Sequence, residues 1–168
     1  ELGAALDDLF LEFDRTPVAA ASIAQVHFAT TKDGRPVAVK VLRPDIEKSF
    51  ARDLDSFMWL ARLMERFSAN IRRLTPTSVV ETISETIALE LDLRFEAAAA
   101  SELQENSKHN DMYAVPDVDW NLTSRRVLST SLVEGIAFSR KAEMVKAGHN
   151  LQKLAAGIVH SFLDQALN

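Results

Sequence analysis

The feature that most constrains this fold is the Asp33-Gly34 pair, which lies between two runs of alternating apolar and polar residues. Asp-Gly pairs favour the two-residue turns that join antiparallel strands, and alternation of this kind is typical of strands. The sequence therefore predicts a β-hairpin around this turn. In its second strand three valines share one face, so Lys40 must lie on the other face.

Helical periodicity dominates most of the remaining chain. The predicted elements are a helix over 2–16, the hairpin within 17–44, helices over 45–67 and 77–106, short strands within 113–118 and 125–135, and helices near 139–147 and 151–167. This order lacks the strand–helix–strand alternation that builds parallel sheets. The expected fold class is therefore α+β, with a small antiparallel sheet flanked by helices.

Composition excludes several classes of protein. The length of 168 residues suits one compact domain, and the net charge of -5 disfavours a broad nucleic-acid-binding surface. Without cysteine the chain has no disulfides or thiolate metal sites, which favours a reducing compartment. No apolar run approaches the roughly 20 residues that span a bilayer. The four histidines lack a convincing ligand pattern, so no metal-binding residue is predicted.

Both ends of the sequence suggest a piece of a longer protein. The chain begins without methionine, and it closes on FLDQALN while still in a helical period. Helices commonly end with a glycine or another terminating signal, which this segment lacks.

Lys40 is the first candidate for chemistry. Kinases carry a strand lysine in a similar valine- and alanine-rich context, where it contacts the nucleotide phosphates. The alternative is a lysine on the solvated face of an edge hairpin, and the VAVK pattern alone favours that alternative. Two further features shift the balance toward a binding site.

The first is a run of small residues, Ala19 to Ser22, about 18 residues before the lysine. Kinases carry a glycine-rich turn at this place, where backbone N–H groups approach phosphates. Alanine still permits close approach, although a positive φ becomes costly.

The second feature is a helix rich in carboxylates, which offers Glu90, Asp92 and Glu96. A kinase lysine needs a helix carboxylate to fix its direction. A solvated helix face with a Glu90–Arg94 pair is the alternative. In an unbroken helix Glu90 points about 200° away from Asp92, so either Glu90 makes a different contact or the helix breaks near it.

Taken in order, PVAAASIAQVH, VAVKVLRP, ELDLRFEAAAASEL and VLSTSLVEG resemble the UbiB family of atypical, protein-kinase-like proteins with aarF domains. In that family an alanine-rich loop replaces the glycine-rich one. The resemblance runs from about Pro17 to the end of the chain. It implies a kinase-like N-lobe with inserted long helices over 1–133, followed by the hinge exit and the first helices of an incomplete C-lobe over 134–168.

The resemblance also implies roles for individual residues. Lys40 would face the phosphates with Glu96 as its partner, and these two are the candidate catalytic residues. The remaining candidate nucleotide-binding residues are Ala19, Ala20, Ala21 and Ser22 of the loop, Glu90 and Asp92 of an E-x-D motif, Thr130 at the gatekeeper position, and Ser131, Leu132 and Val133 as the hinge. The family often has an acidic residue where Ser131 stands.

The implied function is that of an ATP-binding portion of an atypical kinase or ATPase that supports ubiquinone biosynthesis. ATP and Mg²⁺ are the implied cofactors, and a membrane surface or lipid-biosynthesis proteins are the implied partners, without nucleic acid. The implied location is cytoplasmic, peripheral to or anchored at the inner membrane through segments outside this chain.

Two family features are missing from the sequence. It contains no K-x-G-Q motif, and the catalytic loop with the main Mg²⁺ ligands is expected beyond residue 168, so this chain alone is expected to be inactive. The alternative function is a non-catalytic helical interaction module or pseudokinase at a membrane surface, which would use the long helices between Asp45 and Asn106.

Overall fold

The computed structural model describes residues 1–67, 69–108 and 113–167. Its strands are β1 (Phe10–Phe13), β2 (Ala19–Ala20), β3 (Ala24–Thr31), β4 (Pro36–Leu42) and β5 (Val127–Ser131). Its helices are α1 (Leu6–Leu9), α2 (Ile46–Phe67), α3 (Ala69–Arg72), α4 (Pro76–Glu90), α5 (Leu93–Asn106), α6 (Lys141–Lys146) and α7 (Leu151–Leu167), with a short 3₁₀ helix at Trp120–Leu122. The α+β class is confirmed.

The five strands form one antiparallel sheet in the order β1-β3-β4-β5, and β2 also pairs with β3. The hairpin predicted from Asp33-Gly34 is present, because β3 and β4 pair continuously from Ala24 opposite Leu42 to Thr30 opposite Pro36. Gly34 has a φ of 86°, a conformation that side chains other than glycine rarely adopt.

Each face of the sheet carries its own apolar cluster. On one face Val37 and Val39 are almost fully buried, 1% and 2% exposed, and pack with Phe10 and Val127. The opposite face packs against the start of α5, where Leu93 is 1% exposed. The predicted separation of the valines from Lys40 is thus confirmed, and Lys40 lies on the face that α5 covers.

The structure corrects the predicted helix over 2–16. The helix extends only from Leu6 to Leu9, and the chain continues as β1. The physical reason is tertiary, because Phe10 pairs with Thr31 of β3 and is 2% exposed in the core. Helical spacing of leucines in a short segment does not outweigh a place at the sheet edge.

Two other boundaries differ from the prediction. The helix predicted over 77–106 is two helices, and the first of them begins at Pro76, directly after Thr75. Proline at the first position of α4 is favoured because its missing N–H has no helical partner to lose.

Within 113–118 the described residues form an isolated bridge, Val118 to Thr130, instead of a regular strand.

The two long helices α2 and α4 pack against each other as a helical hairpin. At its tip the Glu65 carboxylate accepts hydrogen bonds from the Thr77 N–H and hydroxyl at 3.1 and 2.7 Å. These bonds lower the pKa of Glu65. In the described part of the chain, no helix is long and apolar enough to cross a membrane.

Candidate nucleotide-binding site

The centre of the candidate site is an ion pair between Lys40 and Glu96. The Lys40 Nζ lies 2.6 Å from one Glu96 carboxylate oxygen and 2.9 Å from the other. The two side chains are 30% and 49% exposed, so water and ligands can reach the pair. The predicted contact between strand lysine and helix carboxylate is therefore present, and it joins residues 56 positions apart.

The break between α4 and α5 positions Glu96. After Glu90 the chain leaves the helix for two residues, and Asp92 caps α5 by accepting a hydrogen bond from the Arg94 N–H at 3.1 Å. The Leu93 N–H donates to the Arg125 carbonyl at 2.8 Å, which fastens the start of α5 beside β5. Of the two alternatives that the Glu90–Asp92 geometry left open, a different contact for Glu90 or a helix break near it, the structure has the break.

The two acidic residues of the E-x-D motif have different surroundings. Both oxygens of Asp92 bind the Arg94 guanidinium, at 2.9 and 2.6 Å. The Arg94 side chain, together with its backbone N–H, holds the pKa of the Asp92 carboxyl below its ordinary value, against the effect of burial. Glu90 ends α4 and is exposed. Neither is in a hydrogen bond with Lys40 in the described structure, and their nucleotide role remains a prediction.

The alanine-rich loop is a tight turn at the end of a hairpin. Ala19 and Ala20 form β2, and the Ala21 N–H donates to the Ala24 carbonyl at 2.9 Å across the turn. Ala19 pairs with Val26, which pairs in turn with Lys40. One strand, β3, therefore separates the start of the loop from the strand that carries the lysine. None of the four loop residues has a positive φ. Alanine therefore fits this turn without the backbone strain that its replacement of glycine suggested.

Beside Lys40 the sheet presents an apolar face that the sequence analysis missed. The pairing places Val26 next to Lys40, and Ala38 between Phe28 and Thr130 on the same face. Val26, Ala38 and Thr130 are half-buried, whereas Val37 and Val39 on the opposite face are buried. This is the surface on which a planar base could lie. Counting positions of the same parity as Lys40 along β3 and β4 points to Val26 and Ala38, but the place of Thr130 requires the register of β5.

The predicted hinge begins with Ser131, the last residue of β5, and continues through Leu132 and Val133. The Ser131 hydroxyl accepts the Asp117 N–H at 2.9 Å, and the Ser131 N–H donates to the Asp117 carbonyl at 2.8 Å. The Leu132 N–H donates to the Pro36 carbonyl at 3.1 Å. Val133 is 61% exposed, and its backbone N–H has no partner within the described residues. Serine at position 131 thus anchors the neighbouring segment through its hydroxyl, and the role of Val133 as a hinge donor remains a prediction.

A metal site would have to be completed by other groups. Over the described residues, no cluster of three or more histidines, aspartates and glutamates could hold a metal ion. The His27 Nδ1 lies 2.9 Å from the Asp14 carbonyl oxygen, which accepts a hydrogen bond from it, and the ring stacks on Phe13. His109 lies outside the described residues.

Comparisons with known proteins agree with this geometry. A family model described as ABC1 atypical kinase-like domain matches residues 1–168. The probable protein kinase UbiB of Marinobacter nauticus is 42% identical over 164 residues, which cover 98% of this chain and 30% of that protein. Its counterpart in Aliivibrio fischeri is 40% identical over 166 residues. The chain therefore spans about 30% of the length of these curated relatives.

A solved structure supports the fold. Rv3197 of Mycobacterium tuberculosis, determined as a complex with erythromycin, matches with a TM-score of 0.65 and 32% identity, over 90% of this chain and 37% of that one. The kinase-like fold that the sequence resemblance implied is confirmed. Since the family match extends over every residue and the expected lysine–glutamate pair is in place, this chain belongs to the ABC1 atypical kinase-like family.

Proposed function

We propose that this chain is the nucleotide-binding part of a UbiB-like atypical kinase or ATPase, with a kinase-like N-lobe over 1–133 and the first C-lobe helices over 134–168. The observation that carries the proposal is the Lys40–Glu96 pair at 2.6 Å, open to solvent beside an apolar sheet face. Glu96 directs the ammonium group across the sheet without enclosing it. A cation held in this way suits an ATP phosphate oxygen.

Two surfaces beside the ion pair suit different parts of a nucleotide. The half-buried face formed by Val26, Ala38 and Thr130 fits the adenine ring, and the free Val133 N–H fits a hydrogen-bond acceptor on its edge. The turn after Ala20 follows β2, which only β3 separates from the strand of Lys40, so the turn lies where the phosphates would meet the lysine. The residues present thus fit ATP or ADP.

When bound, Mg²⁺ would neutralise part of the charge on the phosphates. In the described part of the chain the acidic groups do not form a three-ligand metal site. The chain's own contribution is therefore to bind and orient the nucleotide through Lys40 and the sheet. Turnover needs an acidic base and metal ligands from the part of the protein that corresponds to the remaining length of the relatives.

The family name of the curated relatives suggests the biological role. We propose that the protein containing this chain supports ubiquinone biosynthesis at the inner membrane, on its cytoplasmic side, with lipid-biosynthesis proteins as partners and no nucleic acid. The support for this step is the identity of about 40% to proteins named UbiB.

The first test is nucleotide binding by the full-length protein that contains this chain, because the metal ligands are expected outside the chain. Isothermal titration with Mg-ADP should show binding to the wild type, and Lys40→Ala should weaken it at least about tenfold, because a charged hydrogen bond to phosphate is lost. Lys48→Ala is the matched control, since Lys48 is 79% exposed on α2 and pairs only locally with Asp45. Equal affinities of the two variants, or no binding by the wild type, would contradict the proposal.

A second candidate function is a non-catalytic interaction module, or pseudokinase, at a membrane surface. It is favoured by an apolar groove of about 360 Å³ between α2 and α4, where Phe57 and Val79 are 57% and 52% exposed. Large exposed apolar patches mark interaction sites. If Lys40→Ala in the full-length protein leaves its cellular role intact while Phe57→Ser abolishes it, this second function replaces the first.

A further inference from the structure

Arg43 connects the alanine-rich turn to the strand that carries Lys40. It follows β4 directly, and its Nε donates to the Ala21 carbonyl at 2.9 Å. Its backbone N–H donates to the Ile23 carbonyl at 2.8 Å. One residue therefore binds two of the three carbonyl groups at the tip of the turn that joins β2 and β3.

Arg43 is itself held in place. Its carbonyl accepts a hydrogen bond from the Arg126 guanidinium at 2.9 Å and a longer one from the Ile46 N–H at 3.4 Å. Pro44 follows with a restricted φ, and Asp45 then turns the chain with a φ of 55°. The position of the Arg43 backbone is thus fixed by the residue before β5 and by the start of α2.

The turn has few other means of keeping its shape. Ala19 to Ser22 are all exposed, and methyl groups on an exposed turn supply little packing. Within the turn, the Ala21–Ala24 bond is an ordinary hairpin bond. A guanidinium aimed at a carbonyl adds a charge-assisted bond, which is stronger than a bond between neutral groups. The contact with Arg43 is therefore the main side-chain restraint on the turn within the described structure.

We propose that Arg43 is a positioning residue that holds the alanine-rich turn where its backbone N–H groups meet the phosphates of the bound nucleotide. This inference rests on the proposed function. Arg43 acts through the turn, whereas Lys40, three residues earlier on the same chain segment, acts on the phosphates directly. The effect of Arg43 is therefore specific to ligands that carry phosphate.

The experiment compares Mg-ADP with adenosine, which lacks phosphate, by isothermal titration against the wild type, Arg43→Ala and Arg52→Ala. Arg52 is a matched control because it lies exposed on α2 and, within the described structure, its side chain makes two long hydrogen bonds of 3.4 Å to its own helix. We expect Arg43→Ala to weaken ADP about tenfold and to leave adenosine within about twofold, since one hydrogen-bonded restraint on the phosphate side is lost. Arg52→Ala should match the wild type for both ligands.

Other results would overturn the inference. If ADP and adenosine weaken together, Arg43 serves general stability. If neither weakens, the turn does not depend on Arg43 or does not meet phosphate. A loss of ADP binding in Lys40→Ala with normal binding in Arg43→Ala leaves the proposed function intact and removes this inference alone. A wild type that binds no ADP removes both.

Amide hydrogen exchange gives a readout that needs no ligand. In Arg43→Ala the amides of residues 21–24 should exchange faster, while those at the centre of β4 keep their wild-type protection. Unchanged exchange at 21–24 would contradict the positioning role even if ADP affinity fell. Arg43→Lys should recover only part of the protection, because an ammonium group cannot reproduce the fixed geometry of the Nε–H donor.

Discussion

At the scale of single residues, Glu96 and Asp92 show how the same chemical group takes on different tasks. Glu96 is half exposed and binds a lysine that comes from a distant strand. The Asp92 side chain is 11% exposed and binds its own helix terminus and Arg94. A partly exposed ion pair adds little stability, so the value of the Lys40–Glu96 pair is the direction it gives the ammonium group.

Asp92 should make the stability of the fold depend on pH. Arg94 lowers the pKa of Asp92 in the folded chain below its ordinary value of 3.8. The charged form therefore stabilises the fold at pH values above 3.8, and this contribution is lost as the pH falls toward the lower folded-state pKa. We expect Asp92→Asn, which can still cap a helix, to reduce the free energy of unfolding at pH 7 by about 1 kcal/mol.

Urea denaturation of both proteins at pH 7 and at pH 3 measures this effect. The difference between them should narrow at pH 3, where the unfolded wild type binds a proton. Asp53→Asn on the exposed surface of α2 controls for the change in net charge. A difference that stays constant or widens in acid would contradict the role given to the Asp92–Arg94 pair.

At the scale of elements, the sequence predicted features that local chemistry determines. Asp33-Gly34 identified the hairpin, and alternation around it gave the face of Lys40. The Glu90–Asp92 geometry left a helix break as one of two alternatives, and the structure has that break at Leu91 and Asp92. The start of α5 could not be predicted from periodicity, because a hydrogen bond from Leu93 to the distant Arg125 contributes to fixing it.

The missed features depend on contacts between distant segments. Strand β1 forms because Phe10 packs into the core beside β3. The helical spacing of the nearby leucines predicted a helix there instead. The apolar face beside Lys40 requires the register of three strands, including β5, which lies almost 90 residues further along the chain. The bonds of Arg43 to the turn likewise join segments that no local motif connects.

The start of α5 should be the element most sensitive to a loss of packing. Leu93 is 1% exposed between the helix and the sheet. Leu93→Ala should lower the free energy of unfolding by about 2–5 kcal/mol, because a cavity forms beneath Glu96. Leu89→Ala is the matched control, since Leu89 is 55% exposed four residues earlier and its loss should change stability by no more than about 0.5 kcal/mol.

Thermal and urea unfolding of the two variants give the measurement. The Leu93 variant should also weaken Mg-ADP binding in a folded sample, because α5 carries the partner of Lys40. Similar stabilities of the Leu93 and Leu89 variants would show that α5 is not anchored through this residue.

At the scale of the whole molecule, the sheet and the α2–α4 hairpin differ in how they are held together. The sheet is packed on both faces, and β4 pairs with neighbours on both sides. In contrast, Ala61 is the one buried residue of α2, and α4 has none. The link between the two parts includes Ile46 and Phe50 near the start of α2 and Ile87 near the end of α4, which pack against the sheet cluster.

This contrast predicts two levels of local stability in the isolated chain. Segments with few buried apolar contacts open at a lower free energy than the global unfolding transition. We expect amides in the second half of α2, over 57–67, to exchange at least about tenfold faster than those of β4. The bonds between Glu65 and Thr77 restrain the tip of the hairpin, so Glu65→Gln should increase the exchange at the tip and leave that of β4 unchanged. Uniform protection of α2 and β4 would mean that the molecule unfolds as a single unit despite its uneven packing.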